Sequence, residues 1–233
     1  MSPYQTLKEE AWEANLELPK QKVVIYTFGN VSAAHQDRGI FAIKPSGVPY
    51  ENLKVQDMVV VDFEGKIVEG TLNPSSDTQT HAVLYQQFSK MEGIVHTHST
   101  YATAWAQAQK PVPILGTTHA DHLATDIPCT AIMSDEAIRG DYEIATGYQI
   151  LDVFKTLNYE EVPMVLVAGH GPFAWGATAQ KAVYHAVVME ELAKMAFVSL
   201  QINPSVSQLK ASLIEKHYLR KHGKDAYYGQ STG

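Results

Sequence analysis

The sequence predicts an α/β protein in which helices cover a mixed β-sheet. Two features of the 233 residues predict this class. Apolar runs of strand length alternate along the chain with segments whose apolar residues recur at helical spacing. In addition, only Phe63-Glu64-Gly65 lie between Asp62 and Lys66, which predicts a hairpin and therefore an antiparallel part of the sheet. This hairpin disfavours a fully doubly wound parallel sheet.

The first part of the chain contains one helical segment and then several strand-like runs. Apolar residues at helical spacing predict a helix over residues 7–18, and Pro19 is expected to end it. The strand-like runs are rich in Val, Ile and aromatic residues, which favour extended backbone. They cover residues 23–26, 40–43, 58–61 and 66–68.

The alternation continues through the rest of the chain. Residues 78–90 are predicted to form a helix, with a Ser or Asp available to cap its start. An apolar strand that carries His96 and His98 follows directly. The remaining predicted elements are helices over 143–157 and 179–200 and, between them, a buried strand over 164–168.

Composition and charge limit the classes of function. With 45% hydrophobic residues and no repeat or linker, we expect one domain over residues 1–233 that buries about 70% of its unfolded surface. The formal net charge of −7 disfavours binding to nucleic acid or anionic membranes, since both need excess Lys and Arg. Cys129 is the only cysteine, which excludes an internal disulfide and a Cys-based zinc cluster. Because the chain also lacks a signal-peptide pattern and a membrane-spanning run, we expect a cytoplasmic protein.

A pair of histidines one residue apart is the most informative functional signal. Alternate residues of a strand share a face, so the side chains of His96 and His98 are predicted to project together. Two imidazoles on one rigid edge suit a divalent metal ion. Alone, such a pair is also common as a half-buried polar edge.

His170 and Asp77 are candidates to complete a metal site. His170 lies between two glycines after a buried strand, and a third imidazole would give the ligand set of a catalytic zinc ion. The alternative for His170 is a turn residue bonded to a backbone carbonyl. Asp77 is either a fourth ligand or the N-cap of the helix that starts at Thr78, and it cannot fill both roles fully.

Two segments carry groups that suit an anion. Lys44-Pro45-Ser46-Gly47 follows a predicted strand, and Pro74-Ser75-Ser76-Asp77 opens a predicted helix. Hydroxyls, a lysine and free N–H groups at a helix N-terminus can bind phosphate. Each segment alone is a common turn or cap. Asn30 is likewise either a turn residue or a substrate contact.

Taken together, the motifs of the chain closely resemble those of the class II aldolase/adducin family, and among its members the sugar-phosphate epimerases. In order, they are GNVS at 29–32, KPSG at 44–47, PSSDT at 74–78, HTHS at 96–99, GTTHAD at 116–121, HGPFAWG at 170–176, and KHYLRKHG at 216–223 with YYGQ at 227–230. The resemblance runs essentially end to end, and the terminal motif is much more specific than the shared His-x-His. Gly169 departs from the family pattern, which has a larger polar residue there.

The resemblance implies a fold, a cofactor and an assembly. The fold is an α/β/α three-layer arrangement with a central mixed, largely antiparallel sheet flanked by helices. The cofactor is one Zn²⁺ per subunit, for which Mn²⁺ or Co²⁺ could substitute. The assembly is a homotetramer with active sites at subunit boundaries, to which the C-terminal tail, about 217–233, contributes from a neighbouring subunit.

The resemblance also implies roles for individual residues. The metal ligands are His96, His98 and His170, with Asp77 beside them. The substrate-binding residues are Asn30, Lys44, Ser46, Gly47, Ser75, Ser76 and Thr117, with His217 in a supporting role. Asp121 and Tyr228 form the acid/base pair, the tyrosine coming from a neighbouring subunit. Without the resemblance, Asp121 would be interpreted as an Asx-turn residue and Tyr228 as part of a solvated tail.

The activity that the resemblance implies is epimerisation of L-ribulose 5-phosphate to D-xylulose 5-phosphate at carbon 4. The hydrogen on carbon 4 is not acidic, so we expect retro-aldol cleavage between carbons 3 and 4, followed by recondensation on the rotated aldehyde. One alternative is a class II aldolase that releases dihydroxyacetone phosphate; those enzymes usually carry Glu in place of Asp77. The other alternative is a non-catalytic adducin-like binding domain, which would be expected to lose the metal histidines.

Overall fold

A seven-stranded antiparallel sheet forms the middle layer of the protein. The structure is a computed structural model and describes residues 2–224 and 226. The strands are β1 (Asn30–His35), β2 (Ile40–Ile43), β3 (Val59–Asp62), β4 (Ile67–Glu69), β5 (Gly93–His96), β6 (Met164–Leu166) and β7 (Pro172–Gly176). Their order across the sheet is β4-β3-β2-β1-β5-β7-β6, and each of these neighbouring pairs is antiparallel.

Helices cover both faces of the sheet. Within the described residues they are α1 (Gln5–Lys20), α2 (Thr78–Gln87), α3 (Thr100–Gln107), α4 (Thr117–Ala120), α5 (Asp135–Arg139), α6 (Tyr142–Val153), α7 (Ala179–Ile202) and α8 (Ala211–His222). The predicted three-layer fold with a largely antiparallel sheet is therefore confirmed. No helix in the described part of the chain combines the length and the apolar character needed to cross a membrane.

The sheet separates two hydrophobic cores. On one face α1, α3 and α7 pack against strand residues such as Val95. On the other face α2 and α6 pack against strand residues that include Ile94 and Trp175. Because successive residues of β5 point to opposite faces and both faces are covered, the strand is apolar at every position before His96.

The first predicted strand, over residues 23–26, is wrong. The chain turns there, with Tyr26 at a positive φ of 53° and Ile25 61% exposed. The central strand instead begins at Asn30. The sequence pattern did not predict this strand, because it contains polar residues. Ser32, for example, is buried and bonds to His81 of α2.

Most other predicted elements are present with shifted ends. The hairpin between β3 and β4 is confirmed, and the Asp62 N–H donates to the Lys66 carbonyl oxygen over 2.9 Å. Pro19 lies inside the last turn of α1, which ends one residue later at Lys20. The predicted helices over 78–90 and 143–157 end earlier, at Gln87 and Val153. β7, α3, α4, α5 and α8 were not predicted.

Candidate metal centre and substrate pocket

Three histidines meet at one edge of the sheet. His96 ends β5, His98 lies in the loop that precedes α3, and His170 lies in the turn between β6 and β7. The prediction that His98 continues the strand is wrong, since β5 ends at His96. One ring nitrogen from each histidine lies within 4.8 Å of those of the other two. The Nε2 atoms of His96 and His98 are 2.9 Å apart.

A backbone carbonyl and an aromatic ring orient His96 so that it could bind a metal ion. Its Nδ1 lies 3.0 Å from the carbonyl oxygen of Pro172, which can only accept a hydrogen bond. Nδ1 therefore carries the hydrogen, and Nε2 presents its lone pair towards the other two histidines. The ring stacks on Phe173 with centroids 4.3 Å apart. Burial lowers the pKa of His96 to about 3, so the imidazole stays neutral, as metal binding requires.

A tyrosine absent from the sequence-based prediction contacts the third histidine. The Tyr142 hydroxyl lies 3.3 Å from Nδ1 of His170. Burial lowers the pKa of His170, which keeps this ring neutral as well. The turn around His170 also depends on glycine. Gly169 has a φ of +75°, and a Cβ at Gly171 would lie 2.9 Å from the carbonyl oxygen of Thr97.

Asp77 occupies the N-cap position of α2 but does not cap the helix with its side chain. Instead, the Asn30 side-chain amide donates a hydrogen bond to Asp77 Oδ2 over 2.6 Å. Burial raises the pKa of Asp77, but charge interactions with His96 and His81 and the bond from Asn30 outweigh it, so the pKa is lowered. The Asp77 side chain therefore does not cap the helix, and it lines the same cavity as the three histidines.

The donor set fits a divalent ion. Two imidazoles bound to tetrahedral zinc at about 2.0–2.1 Å have their nitrogens about 3.3 Å apart. The three ring nitrogens here lie within 4.8 Å of one another, so small side-chain rotations suffice. Neutral imidazoles and one carboxylate suit zinc, and also manganese or cobalt.

The histidines open into a polar cavity of about 360 Å³. The cavity also contains most of the predicted substrate-binding residues. Those that line it are Asn30, Lys44, Ser46, Gly47, Ser75 and Ser76, together with Asp77 and the three histidines. Thr117 and His217 are not among its lining residues.

Backbone hydrogen bonds join the two predicted anion-binding segments. Ser46 N–H donates to the Asn73 carbonyl oxygen over 2.9 Å, and Ser75 N–H donates to that of Lys44 over 3.0 Å. Segments 44–47 and 74–77, nearly thirty residues apart in the sequence, thereby form one wall of the cavity, and the serines of both segments contribute hydroxyl groups to it.

Lys44 is buried within this wall. Its Nζ has only long contacts, 3.5 Å to the Thr27 carbonyl oxygen and 3.4 Å to that of Pro45, and it lies over the Tyr50 ring. None of the ion pairs among residues 2–224 and 226 involves Lys44. Burial lowers its pKa to about 8. A bound anion would supply the missing countercharge.

Asp121, one of the two predicted acid/base residues, does not line the cavity of the histidines. Asp121 lines a different cavity, of about 470 Å³, with residues of α7 and α8. Its carboxylate accepts hydrogen bonds from His217 and Arg220. Tyr228 lies outside the described residues.

His81 lies in a helix, as its sequence context predicts, but it is buried rather than part of a polar surface. It is wholly buried in α2, with Nδ1 2.8 Å from the Ser32 hydroxyl, which in turn lies 2.7 Å from that of Tyr85. Burial lowers the pKa of His81 to about 4. The spacing Asp77-x-x-x-His81, one helical turn, is a signal that could have placed it near the carboxylate.

Fold and site together define an α/β/α domain in which a histidine cluster that could hold a metal ion opens into a polar pocket. Residues 9–197 match the family described as Class II Aldolase and Adducin N-terminal domain. The chain belongs to this family.

The sequence is similar to that of named proteins over nearly its whole length. It is 53% identical over 226 residues to the L-ribulose-5-phosphate 4-epimerase UlaF of Salmonella paratyphi C, covering 97% of this chain and 99% of that protein. The protein of the same name from Salmonella typhi is 52% identical with the same coverage. A solved L-fuculose 1-phosphate aldolase superposes with a TM-score of 0.76 at 24% identity, covering 93% of this chain and 95% of that one. This last likeness concerns the fold alone.

Proposed function

We propose that the protein is a metal-dependent isomerase that converts L-ribulose 5-phosphate to D-xylulose 5-phosphate by inversion at carbon 4. The observation that carries the proposal is a single cavity lined both by the three histidines and by the wall that segments 44–47 and 74–77 form. Such a cavity can hold the phosphate of a sugar at one end and its reacting oxygens at the other. The names of the relatives at 52–53% identity agree with this substrate.

A positive charge and several hydroxyl groups support the proposal that one end of the cavity binds phosphate. Lys44 and the hydroxyls of Ser46, Ser75 and Ser76 line this part of the cavity, and α2 starts beside it at Thr78. Amide groups at the start of a helix favour an anion. Asn30 contacts both Ser75 and Asp77, so it links the phosphate end to the metal end.

Retro-aldol chemistry avoids removal of the non-acidic hydrogen on carbon 4. A residue of the protein takes the 4-hydroxyl proton, the oxygen forms the aldehyde carbonyl, and the electron pair of the broken bond passes into an enediolate. His96, His98 and His170, with Asp77 beside them, would hold a divalent ion, which would supply Lewis-acid stabilisation of the developing negative charge. Asp121 and Tyr228 are the proposed acid/base pair, one for each face of the aldehyde, and such assistance contributes roughly 10²–10⁴-fold.

The proposal includes an assembly. We place residues 1–233 in one domain and the tail from about residue 217 at the active site of a neighbouring subunit in a homotetramer. The separate cavities of the histidines and of Asp121 support this arrangement. Exposed apolar side chains on α7 support it as well: Met195, Phe197, Val198 and Ile202.

Zinc is the proposed ion, with manganese or cobalt as substitutes, because the site has three imidazoles and a carboxylate. We also propose a cytoplasmic location. The free Cys129 agrees with a reducing compartment.

The direct test incubates the purified protein with L-ribulose 5-phosphate and follows D-xylulose 5-phosphate by carbon NMR. We expect conversion that chelator abolishes and that zinc, manganese or cobalt restores. Stoichiometric release of dihydroxyacetone phosphate would instead identify the aldolase alternative. Absence of both stoichiometric metal and turnover would favour the adducin-like binding domain.

A further inference from the structure

The three histidines of the candidate metal centre differ in how their rings are held. The rings of His96 and His170 each have a partner at Nδ1, a carbonyl oxygen and a tyrosine hydroxyl respectively. His98 is the exposed member of the cluster. Within the described residues, its ring forms a hydrogen bond only with Nε2 of His96, a nitrogen that itself faces the metal position. The position of the His98 ring therefore depends on the backbone that carries it.

A carboxylate from another helix fixes the backbone that follows His98. α3 begins at Thr100. The N–H groups of Tyr101 and Ala102 donate to the two carboxylate oxygens of Glu190 on α7, each over 2.9 Å. These are the second and third residues of the helix, whose N–H groups are normally bound by the side chain of the N-cap residue. A carboxylate at this end also interacts favourably with the helix dipole.

The residue in the N-cap position of α3 leaves this role to Glu190. Ser99 has the extended backbone of an N-cap, with φ −62° and ψ 141°, but its side chain makes no capping bond. Its hydroxyl is buried and lacks a hydrogen-bond partner in the described part of the chain. Another hydrogen bond joins the two helices, from Trp105 Nε1 to the Ala193 carbonyl oxygen over 2.9 Å, but it lies one turn further from His98. Glu190 is thus the contact that fixes the start of α3.

We propose that Glu190 positions His98 for metal binding by holding the start of α3 in place. The inference rests on the metal site of the proposed function and adds a residue outside the lining of its cavity. The contact needs two acceptor atoms side by side, because two adjacent N–H groups point at Glu190. A carboxylate provides both, whereas the amide of glutamine provides one acceptor and one donor. Without the second acceptor, one N–H of α3 faces an NH₂ group, which displaces the helix start and His98 with it.

The test measures Co²⁺ binding by Glu190→Gln, which keeps the size of the side chain but not its two acceptors. The dissociation constant, from competition with a chromophoric chelator, is expected to rise by roughly 10- to 100-fold, as is typical when a group that orients a metal ligand is lost. The visible absorption of bound Co²⁺ should also change, because it depends on the geometry of the ligands. Glu191→Gln, an exposed change at the next position of α7, is the matched control and should bind Co²⁺ as the wild type does.

Two further variants separate positioning from general stability. Trp105→Phe removes the other hydrogen bond between α3 and α7, so it should lower the melting temperature but leave the dissociation constant of Co²⁺ within about threefold of the wild-type value. In the double variant Glu190→Gln with Ser99→Asp, the aspartate can accept from the same N–H groups. This variant is expected to recover Co²⁺ affinity and the wild-type absorption spectrum. It also provides the comparison with the wild type if Glu190→Gln alone does not fold.

The outcomes distinguish this inference from the proposed function. If the wild type binds stoichiometric Co²⁺ and Glu190→Gln binds it within about threefold as tightly, the role of Glu190 is wrong and the epimerase proposal stands. Equal losses of affinity in Glu190→Gln and Trp105→Phe, or a folded double variant that still binds Co²⁺ weakly, would also overturn that role. If the wild type binds no stoichiometric divalent metal, the proposed metal site fails and this inference fails with it. Weak binding by Glu190→Gln, with recovery in the double variant, supports the role.

Discussion

The Asn30 side-chain amide donates a hydrogen bond to the Asp77 carboxylate, with Nδ2 2.6 Å from Oδ2. The same nitrogen lies 3.1 Å from the Ser75 hydroxyl. Asn30 also stands opposite His96 in the register of β1 and β5. The Asn30 side chain therefore joins the Asp77 carboxylate to the Ser75 hydroxyl, and its backbone lies beside that of His96.

Replacement of Asn30 by alanine should impair catalysis more than folding. A hydrogen bond to a charged group contributes about 1.5–3 kcal/mol, so kcat/KM is expected to fall by roughly tenfold to a hundredfold. Metal content, measured by atomic absorption, should remain stoichiometric because the three histidines are intact. Ser46→Ala provides a comparison at the phosphate end, where we expect mainly a higher KM. An Asn30→Ala variant with wild-type kcat/KM would contradict the role given to this contact.

Tyr142→Phe should weaken metal binding. The hydroxyl contacts Nδ1 of His170, and loss of such a contact to a metal ligand typically weakens affinity by 10- to 100-fold. Competition with a chromophoric chelator measures the affinity directly. Tyr148→Phe, at a 60% exposed position of the same helix, is the control and should leave affinity unchanged. Equal metal affinities of the two variants would show that the Tyr142 hydroxyl does not strengthen metal binding.

Phosphate binding should depend on the charge of Lys44. Because its pKa is lowered to about 8, the free protein loses this charge as the pH rises through 8. We expect the dissociation constant of inorganic phosphate, measured by calorimetry with the metal-free protein, to rise above that pH. Lys44→Met should bind phosphate weakly at every pH. Binding by the wild type that stays constant between pH 7 and about 9.5 would contradict this prediction.

The buried charge of Lys44 should lower the stability of the folded protein at neutral pH. Its pKa is lower in the folded protein than the ordinary value of 10.5, so the folded state disfavours the charged form. This penalty is fully present below about pH 8 and disappears as the pH rises towards 10.5. We therefore expect Lys44→Met to raise the melting temperature at pH 7 and to lose that advantage near pH 10. Lys110→Met, at an exposed position, should change neither value.

The elements that the sequence predicted correctly are those whose signal is local. The hairpin after Asp62 and the long helix from Ala179 follow from turn length and periodicity, which neighbouring residues determine. The strand that begins at Asn30 and the turn over 23–26 do not follow from such local signals. Their structures depend on partners far along the chain, such as the Ser32 contact with His81.

The same distinction applies to the candidate site. The grouping of His96, His98 and His170 was predicted because the motifs are distinctive, and the structure brings them together. Tyr142 was missed because its contact with His170 spans 28 residues and carries no motif. The bonds from Arg220 to Asp121 likewise connect residues 99 positions apart, so only the folded chain places them together.

The central claim is that each active site combines the histidines of one subunit with Tyr228 of a neighbouring subunit. Two inactive variants test it: His170→Ala, which lacks the metal site, and Tyr228→Phe, which lacks the tail hydroxyl. Each is to be assembled alone, and both are to be dissociated, mixed in equal amounts and reassembled. If neighbouring subunits share the site, random mixing restores a functional pair at about a quarter of the boundaries, and the mixture should regain about a quarter of wild-type kcat. A mixture that forms normal oligomers with bound metal yet remains as inactive as its two components would contradict the shared site.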